Sequence, residues 1–242
     1  MLSSIRIILV EPSHPGNIGA AARAMKTMGL QSLYLIKPRS LPDVQSVAMA
    51  AGAQDVLSAV NIQPSLLPAI ADCGLVIGLS ARPRTLQWPL LTPRRAATLA
   101  IQEIASHPVA FLLGNEQSGL SNVDCQHCHY QLTIPANPSY SSLNIAMALQ
   151  IISYELYLAQ QEQRVIDTTA VVGSVRYPEI SDIEQLYKHL ERVLRQIGFI
   201  RPQGSEQVVS RLRWLLTRAR LQDTEVNLLR GILTMVEKKS GE

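Results

Sequence analysis

The amino-acid sequence predicts an α/β fold, with a parallel sheet flanked by helices, followed by a small all-helical C-terminal domain. Short apolar runs recur in the first two thirds of the chain, and stretches of helical composition separate them, as in a parallel sheet covered on both faces. An amphipathic stripe beyond residue 178 indicates helices without strands. At 242 residues, the chain has room for one full-sized domain and a smaller one.

Five apolar runs are the predicted strands of this sheet. Each is nearly continuous in apolar residues, as a strand buried on both faces requires, and shows no regular alternation with polar residues. The predicted strands are residues 5–10, 32–36, 75–79, 109–113 and 130–134.

Helical stretches separate these strands and close the domain. Pro93 suits the first turn of a helix, and a long run of Ala, Leu and Ile predicts a final helix at 143–161. The other predicted helices of this part are 19–28, 42–51, 65–72 and 93–106.

The last third of the chain predicts a linker and a helical domain. Residues 162–178 lack periodicity and end in Pro178, which indicates a linker between domains 1–161 and 179–242. Ser181 and Glu184 have the spacing of a capping box, and the following apolar stripe ends at Gly198. Two more helices are predicted at 206–218 and 223–237.

Composition and the amino terminus argue against several classes of protein. Apolar residues make up 47% and charged residues 17% of the chain, as in a folded globular protein. Three cysteines are too few for a disulfide framework, the start MLSSIRIILVEPSH lacks the pattern of a signal peptide, and no apolar run approaches the roughly 20 residues of a membrane span. We therefore expect a cytoplasmic protein without membrane association.

The first polar segment, EPSHPGNIGAAARAM, directly follows the first predicted strand. Gly16 and Gly19 let backbone amides approach a ligand, and the start of a helix favours anions. Arg23 lies one turn further on among alanines, where its guanidinium suits a phosphate or a carboxylate. A tight turn before a packed helix explains the same residues, so this segment alone decides nothing.

Two further polar segments follow later strands. VAFLLGNEQSGLS places Gly114 and Glu116 at a strand exit, and IPANPSYSSLN places Ser141 and Ser142 where they can cap the long helix, with Asn144 in its first turn. Because ligands bind at the carboxyl ends of parallel strands, we expect these loops to form a polar pocket. A surface turn and simple helix capping are the alternatives.

Together the three segments resemble the SPOUT methyltransferase superfamily, in its tRNA and rRNA ribose 2′-O-methyltransferase branch. The pattern NxGxxxR from Asn17 to Arg23 is similar to the first motif of that family. FLLGNEQSGLS and IPANPSYSSLN are similar to its second and third motifs, in the same order. Three ordered motifs over most of residues 1–161 are far more specific than any one of them alone.

The resemblance implies a fold with a deep C-terminal trefoil knot, whose loops wrap the methyl donor S-adenosylmethionine. It implies a homodimer in which Arg23 of one subunit faces the cofactor of the other. It gives central roles to Arg23 and Ser142, while Asn17 and Asn144 shape the loops. The cofactor contacts that it implies are Leu79, Ser80, Ala81, Gly114, Glu116, Ile134, Ser141, Ser142 and Leu143.

The reaction implied by the resemblance is methylation of a ribose 2′-hydroxyl in the anticodon loop of tRNA, at cytidine or uridine 32. Two alternatives belong to the same family: a ribosomal RNA substrate, and an RNA-binding protein without activity. No metal is expected, because the positive sulfur of the donor already activates the methyl group. A secondary alcohol still needs help to lose its proton, and Arg23 suits electrostatic stabilisation better than proton removal.

Basic residues suggest where RNA binds, because phosphate contacts supply most sequence-independent affinity. Solvated surface charge is the alternative explanation. The candidates are Arg82, Arg84 and Trp88, which follow a predicted cofactor loop, and Arg211, Arg213 and Arg218, which lie beside Trp214.

Other ligand classes have weaker support. CQHCH, which contains Cys125, Cys128 and His129, matches a haem attachment string and part of a zinc ligand set, but we expect buried cysteines there. A dehydrogenase would have GxGxxG after the first strand, whereas this chain has GNIG, so we expect no nicotinamide binding.

Overall fold

The computed structural model describes residues 2–80, 88–166, 176–200 and 205–240. The chain forms two compact units, residues 1–172 and 173–242. The first unit is an α/β sheet domain and the second is helical, so the predicted parallel sheet with flanking helices and the predicted helical C-terminal domain are confirmed.

The sheet of the first unit has seven strands within the described residues, in the order β3-β2-β1-β6-β4-β7-β5, and every neighbouring pair is parallel. Four of the five predicted strands have the predicted bounds, and the fifth ends two residues early. The short strands β3 and β5 were not predicted. The strands are β1 (Ile5–Val10), β2 (Ser32–Ile36), β3 (Asn61–Gln63), β4 (Leu75–Leu79), β5 (Leu90–Leu91), β6 (Val109–Leu113) and β7 (Tyr130–Leu132).

The order of the strands reverses between β1 and β6, and such a reversal opens a crevice for ligands at the carboxyl ends of the strands. Ile5 pairs with Val109 and Leu9 with Leu113, so both strands end at the same level. The loops that follow them are therefore neighbours, as the sequence predicted.

Helices cover this sheet and bury its apolar residues. Alanines of α1 and α5 pack with the branched side chains of β1 and β6 in one core cluster. Gly19 of α1 is required where α1 meets α2, because a Cβ there would lie 2.0 Å from the carbonyl oxygen of Ser46. The helices are α1 (Pro15–Thr27), α2 (Val44–Ala50), α3 (Gln54–Ser58), α4 (Leu67–Ile70), α5 (Pro93–Glu103), α6 (Asn122–Cys125) and α7 (Ile145–Ile166).

The predicted linker and the predicted capping box were wrong. Helix α7 continues to Ile166, into the predicted linker 162–178, of which residues 167–175 lie outside the described part of the chain. In the second unit, the first helix starts at Ile180 with Glu179 at its N-cap, so the capping box predicted at Ser181 does not form.

The second unit contains α8 (Ile180–Gln196), α9 (Ser205–Ala219) and α10 (Asp223–Ser240). Leu186 and Val193 of α8 pack against Val226 and Leu233 of α10. A membrane-spanning helix would need a longer apolar stretch than any helix among the described residues contains.

Candidate active site

A cavity of about 450 Å³ lies where the loops after β4, β6 and β7 meet the start of α7. Its volume is in the range of pockets that hold small molecules. Eight of the nine predicted cofactor residues line it, and the ninth, Ala81, lies outside the described residues. Those that line it are Leu79, Ser80, Gly114, Glu116, Ile134, Ser141, Ser142 and Leu143.

The loop after β6 is held in one conformation by its own backbone. A Cβ on Gly114 would lie 2.1 Å from the backbone of Gly119 and Leu120, so only glycine allows the chain to cross itself here. Asn115 accepts hydrogen bonds from the amides of Gln117 and Ser118 at 2.9 and 3.4 Å, and donates to the carbonyl oxygen of Glu11 at 2.8 Å. This rigid loop fixes the position of Glu116.

The carboxylate of Glu116 joins this loop to the first polar segment. Its Oε2 accepts hydrogen bonds from the Ser13 hydroxyl at 2.7 Å and the Ser13 amide at 3.1 Å. Its Oε1 accepts from the Asn17 side chain at 2.9 Å. Burial raises the pKa of Glu116, but the bonds from Asn17 and Ser13 outweigh it, so the pKa lies below its ordinary value. Glu116 is therefore ionised at neutral pH.

The same network reaches the third segment through Asn17. The Asn17 Oδ1 accepts a hydrogen bond from the Asn144 side chain at 3.0 Å, and the Asn144 Oδ1 accepts from the amide of Ala146 at 2.8 Å. Asn144 therefore precedes and caps α7. The capping expected of Ser141 and Ser142 was wrong, because the helix starts at Ile145.

Ser141 and Ser142 are exposed at the cavity and make no hydrogen bond with the described residues. Their hydroxyls are therefore available to a bound molecule. The residues that line the cavity or support it also include His14, Tyr140 and Ser13, which were not among the predicted cofactor contacts. The position of Ser13 and His14 just beyond β1 is the signal that could have identified them.

Arg23 does not line the cavity of its own chain. It lies six residues beyond Asn17 on α1, which turns it by roughly 120° around the helix and moves it about 9 Å along the axis. Its side chain is exposed and makes no ion pair with the described residues. The guanidinium therefore faces outward and remains available to another chain or to RNA.

The predicted RNA contacts have different environments. Trp88 is only 5% exposed, so its predicted stacking on a base was wrong. The predicted RNA contact of Arg213 was also wrong. Its guanidinium forms two hydrogen bonds with the buried carboxylate of Glu184, at 2.7 and 2.9 Å, and so packs within the helical unit.

Arg211 and Arg218 are exposed, as an RNA contact requires, and Arg218 stacks on the Trp214 ring at 4.3 Å from its centroid. Arg82 and Arg84 lie outside the described residues.

The cysteines of the CQHCH string are buried, and so is Cys73. The imidazole of His129 accepts a hydrogen bond from the amide of Val76 at 3.0 Å. In the part of the chain that the structure describes, no three His, Cys, Asp or Glu side chains come together as metal ligands would.

Comparison with known families divides the chain in two. The sequence model of the SpoU rRNA methylase family matches residues 4–154. A second model, for the C-terminal domain of the tRNA methyltransferase TrmJ, matches residues 181–242.

Two curated relatives match the chain along its whole length. A Pectobacterium atrosepticum protein is 50% identical over 242 residues and covers 100% of both chains. A Photorhabdus laumondii protein is 51% identical over 241 residues and covers 98% of both. Each is named tRNA (cytidine/uridine-2′-O-)-methyltransferase TrmJ.

Solved structures agree with these relatives. TrmJ from Z. mobilis ZM4 has a TM-score of 0.80 and 32% identity, covering 96% of this chain and 98% of that one. A methylase family protein from Haemophilus influenzae Rd KW20 has a TM-score of 0.67 and 44% identity, covering 99% of this chain and 98% of that one.

Proposed function

The chain belongs to the SpoU rRNA methylase family, and on that premise we propose that it methylates the ribose 2′-hydroxyl of a tRNA pyrimidine. The curated relatives are named for this reaction and span the whole chain, including the helical unit. The observation that carries the proposal is the network from Ser13 through Glu116 and Asn17 to Asn144, because it joins all three segments around one cavity.

The methyl donor is S-adenosylmethionine, and the cavity suits it in size and in chemistry. Leu79, Ile134 and Leu143 offer apolar contact for the adenine, while Ser141 and Ser142 offer hydroxyls for polar groups of the molecule. The negative charge of Glu116 at the wall favours a positive sulfonium. When bound, the donor supplies a methyl group that is activated by this positive sulfur.

The residues of the chain orient the acceptor and stabilise its developing charge. In-line attack needs the ribose oxygen held beside the methyl group. We assign this task to Ser142, whose exposed hydroxyl lines the cavity. Arg23 stabilises the alkoxide and grips the neighbouring phosphate. Since Arg23 faces away from its own cavity, we assign it to the cavity of a second subunit.

This assignment requires a homodimer in which α1 of one subunit lies against the cavity of the other. A two-fold axis brings both copies of Arg23 to the opposite cavities at once, so a dimer has two complete sites. We also propose the trefoil knot, with the loops after β6 and β7 as the threaded segments. The enzyme acts on tRNA in the cytoplasm.

The helical unit, with exposed Arg211 and Arg218, supplies tRNA contacts beyond the cavity. We place the modified ribose in the anticodon loop, at cytidine or uridine 32. Arg82 and Arg84 are proposed to bind the RNA backbone.

Transfer of labelled methyl from S-adenosylmethionine to unmodified tRNA transcripts tests the proposal. The product is mapped by the alkali resistance of a 2′-O-methylated linkage. We expect label at one anticodon-loop ribose with the native chain, and none with the Arg23→Ala variant. Label at a base, or no transfer to any tRNA, would contradict the proposal.

Ribosomal RNA is a second candidate substrate, because the matching family is described by that activity. The same assay with ribosomal RNA transcripts decides between them. An inactive RNA-binding protein is disfavoured, since Asn17, Glu116, Ser142 and Asn144 are all present and three of them form one network.

A further inference from the structure

Helix α10 of the helical unit has two apolar faces. Val226 and Leu233 point inward and pack against α8. Leu228, Ile232 and Met235 lie on the other side and are 65%, 52% and 57% exposed. A helix on the surface of a monomer normally has one apolar stripe, so the outer face is unpartnered in a single chain.

The outer face has the spacing of a helix-pairing seam. Leu228, Ile232, Met235 and Lys239 follow one another by four, three and four residues, which is the spacing of a coiled-coil seam. Gly231 lies within the stripe, and a Cβ there would meet nothing within 4 Å. Glycine is less favourable than alanine inside a helix, but it lets another backbone come close.

We propose that this outer face docks on the same face of a second copy of the chain, with the two α10 helices antiparallel. A two-fold axis near Gly231 and Ile232 puts Leu228 opposite Met235 of the second copy. The contact is then isologous, so each copy gives and receives the same set of contacts.

Charge fixes the antiparallel orientation. The first turn of α10 is acidic, with Asp223 and Glu225, and the last turn is basic, with Lys238 and Lys239. Antiparallel pairing puts Glu225 close to Lys239 of the second copy at both ends, whereas parallel pairing would put like charges together. Exposed ion pairs contribute little affinity, but repulsion between like charges disfavours the parallel orientation.

The docking rests on the proposed homodimer of the methyltransferase units. One helix face is smaller than the roughly 800 Å² per partner of a stable interface, so it would not hold two free chains together. Within an existing dimer the second contact is intramolecular, and its effective concentration reaches the millimolar range. The paired helical units would then offer one tRNA a single continuous surface.

Disulfide trapping in the full-length chain tests the docking. Ile232→Cys places a thiol next to the two-fold axis, and the native cysteines give little background because all three are buried. Thr234→Cys is the matched control, since Thr234 is exposed on the same helix but lies off the stripe. After mild oxidation we expect most of the Ile232→Cys chains to run as covalent dimers on a non-reducing gel, and few of the Thr234→Cys chains.

Equal trapping in both variants, or none in either, overturns the docking. Light scattering on the reduced Ile232→Cys protein gives its oligomeric state, and methyl transfer gives its activity. Together they separate failure of the docking from failure of the proposed function. A dimer that methylates tRNA fully without cross-linking overturns the docking alone. A monomer overturns the homodimer and the docking together, and absence of transfer by a cross-linking dimer overturns only the proposed function.

Discussion

Asn17 connects the three loops of the site, so its replacement by alanine should disorder them together. The side chain donates to the ionised Glu116 at 2.9 Å and accepts from Asn144 at 3.0 Å. A bond to a charged group contributes about 1.5–3 kcal/mol and a neutral one about 1 kcal/mol. Partial exposure lowers both values, and we take a combined loss of about 2 kcal/mol.

A loss of about 2 kcal/mol in the assembly of the site corresponds to a decrease of roughly 30-fold in kcat/KM. Steady-state methyl transfer to a tRNA transcript measures it, with Asn61→Ala as the control, because Asn61 is an exposed asparagine on β3. We expect the control to retain full activity. Activity of Asn17→Ala within threefold of the native chain, or an equal loss in both variants, would refute the reasoning.

Three further predictions concern the carboxylate, the crossing loop and the helical unit. Folding lowers the pKa of Glu116, so its ionised form stabilises the native state above the ordinary glutamate pKa of about 4.3, and this stability is lost as pH falls through the lower folded value. Urea titrations should therefore find Glu116→Gln less stable than the native chain at neutral pH, and the difference should disappear in acid. Gly114→Ala should abolish S-adenosylmethionine binding in calorimetry, because its Cβ would meet backbone at 2.1 Å. The control Gly16→Ala should still bind, because its Cβ meets only the flexible side chain of Gln45 at 3.2 Å, and binding by both variants would contradict the role given to Gly114. Arg213→Ala should lower the free energy of unfolding by about 3 kcal/mol, because it removes two hydrogen bonds to the buried, charged Glu184 carboxylate. Arg211→Ala should weaken tRNA binding without a change in thermal stability.

Elements with strong local patterns were predictable from sequence. The continuous apolar runs of β1, β2, β4 and β6 gave the correct strand bounds, because strands buried on both faces leave a clear signature. Strands β3 and β5 have three and two residues and are partly exposed, so no periodicity distinguishes them from loops. Their pairing with β2 and β7 is decided by tertiary contacts.

The site was predicted as a meeting of three loops, but not its internal bonds. Parallel strands bring their carboxyl ends to one edge, so the proximity of Asn17, Glu116 and Asn144 follows from topology. Ser13 holds the Glu116 carboxylate, and Asn144 caps α7. Both contacts depend on side-chain geometry that cannot be read from composition.

The errors at Trp88 and Arg213 have a common physical reason. Both residue types suit RNA contacts when exposed, but an indole and a paired guanidinium also stabilise a protein interior. Sequence near each residue gives its chemical type and says little about the partners that bury it. Arg213 is committed by Glu184, which lies 29 residues away in the chain.

The central claim is that each cavity is completed by Arg23 of the other subunit. Chains with Arg23→Ala and Ser142→Ala can be co-expressed with two different tags, and the mixed dimer can be purified through both. One of its two sites then combines a native Ser142 with a native Arg23, so the account predicts about half of the native methyl transfer to tRNA, while each parent dimer is inactive. A mixed dimer as inactive as its parents would show that Arg23 and Ser142 act within one chain, and would contradict the account.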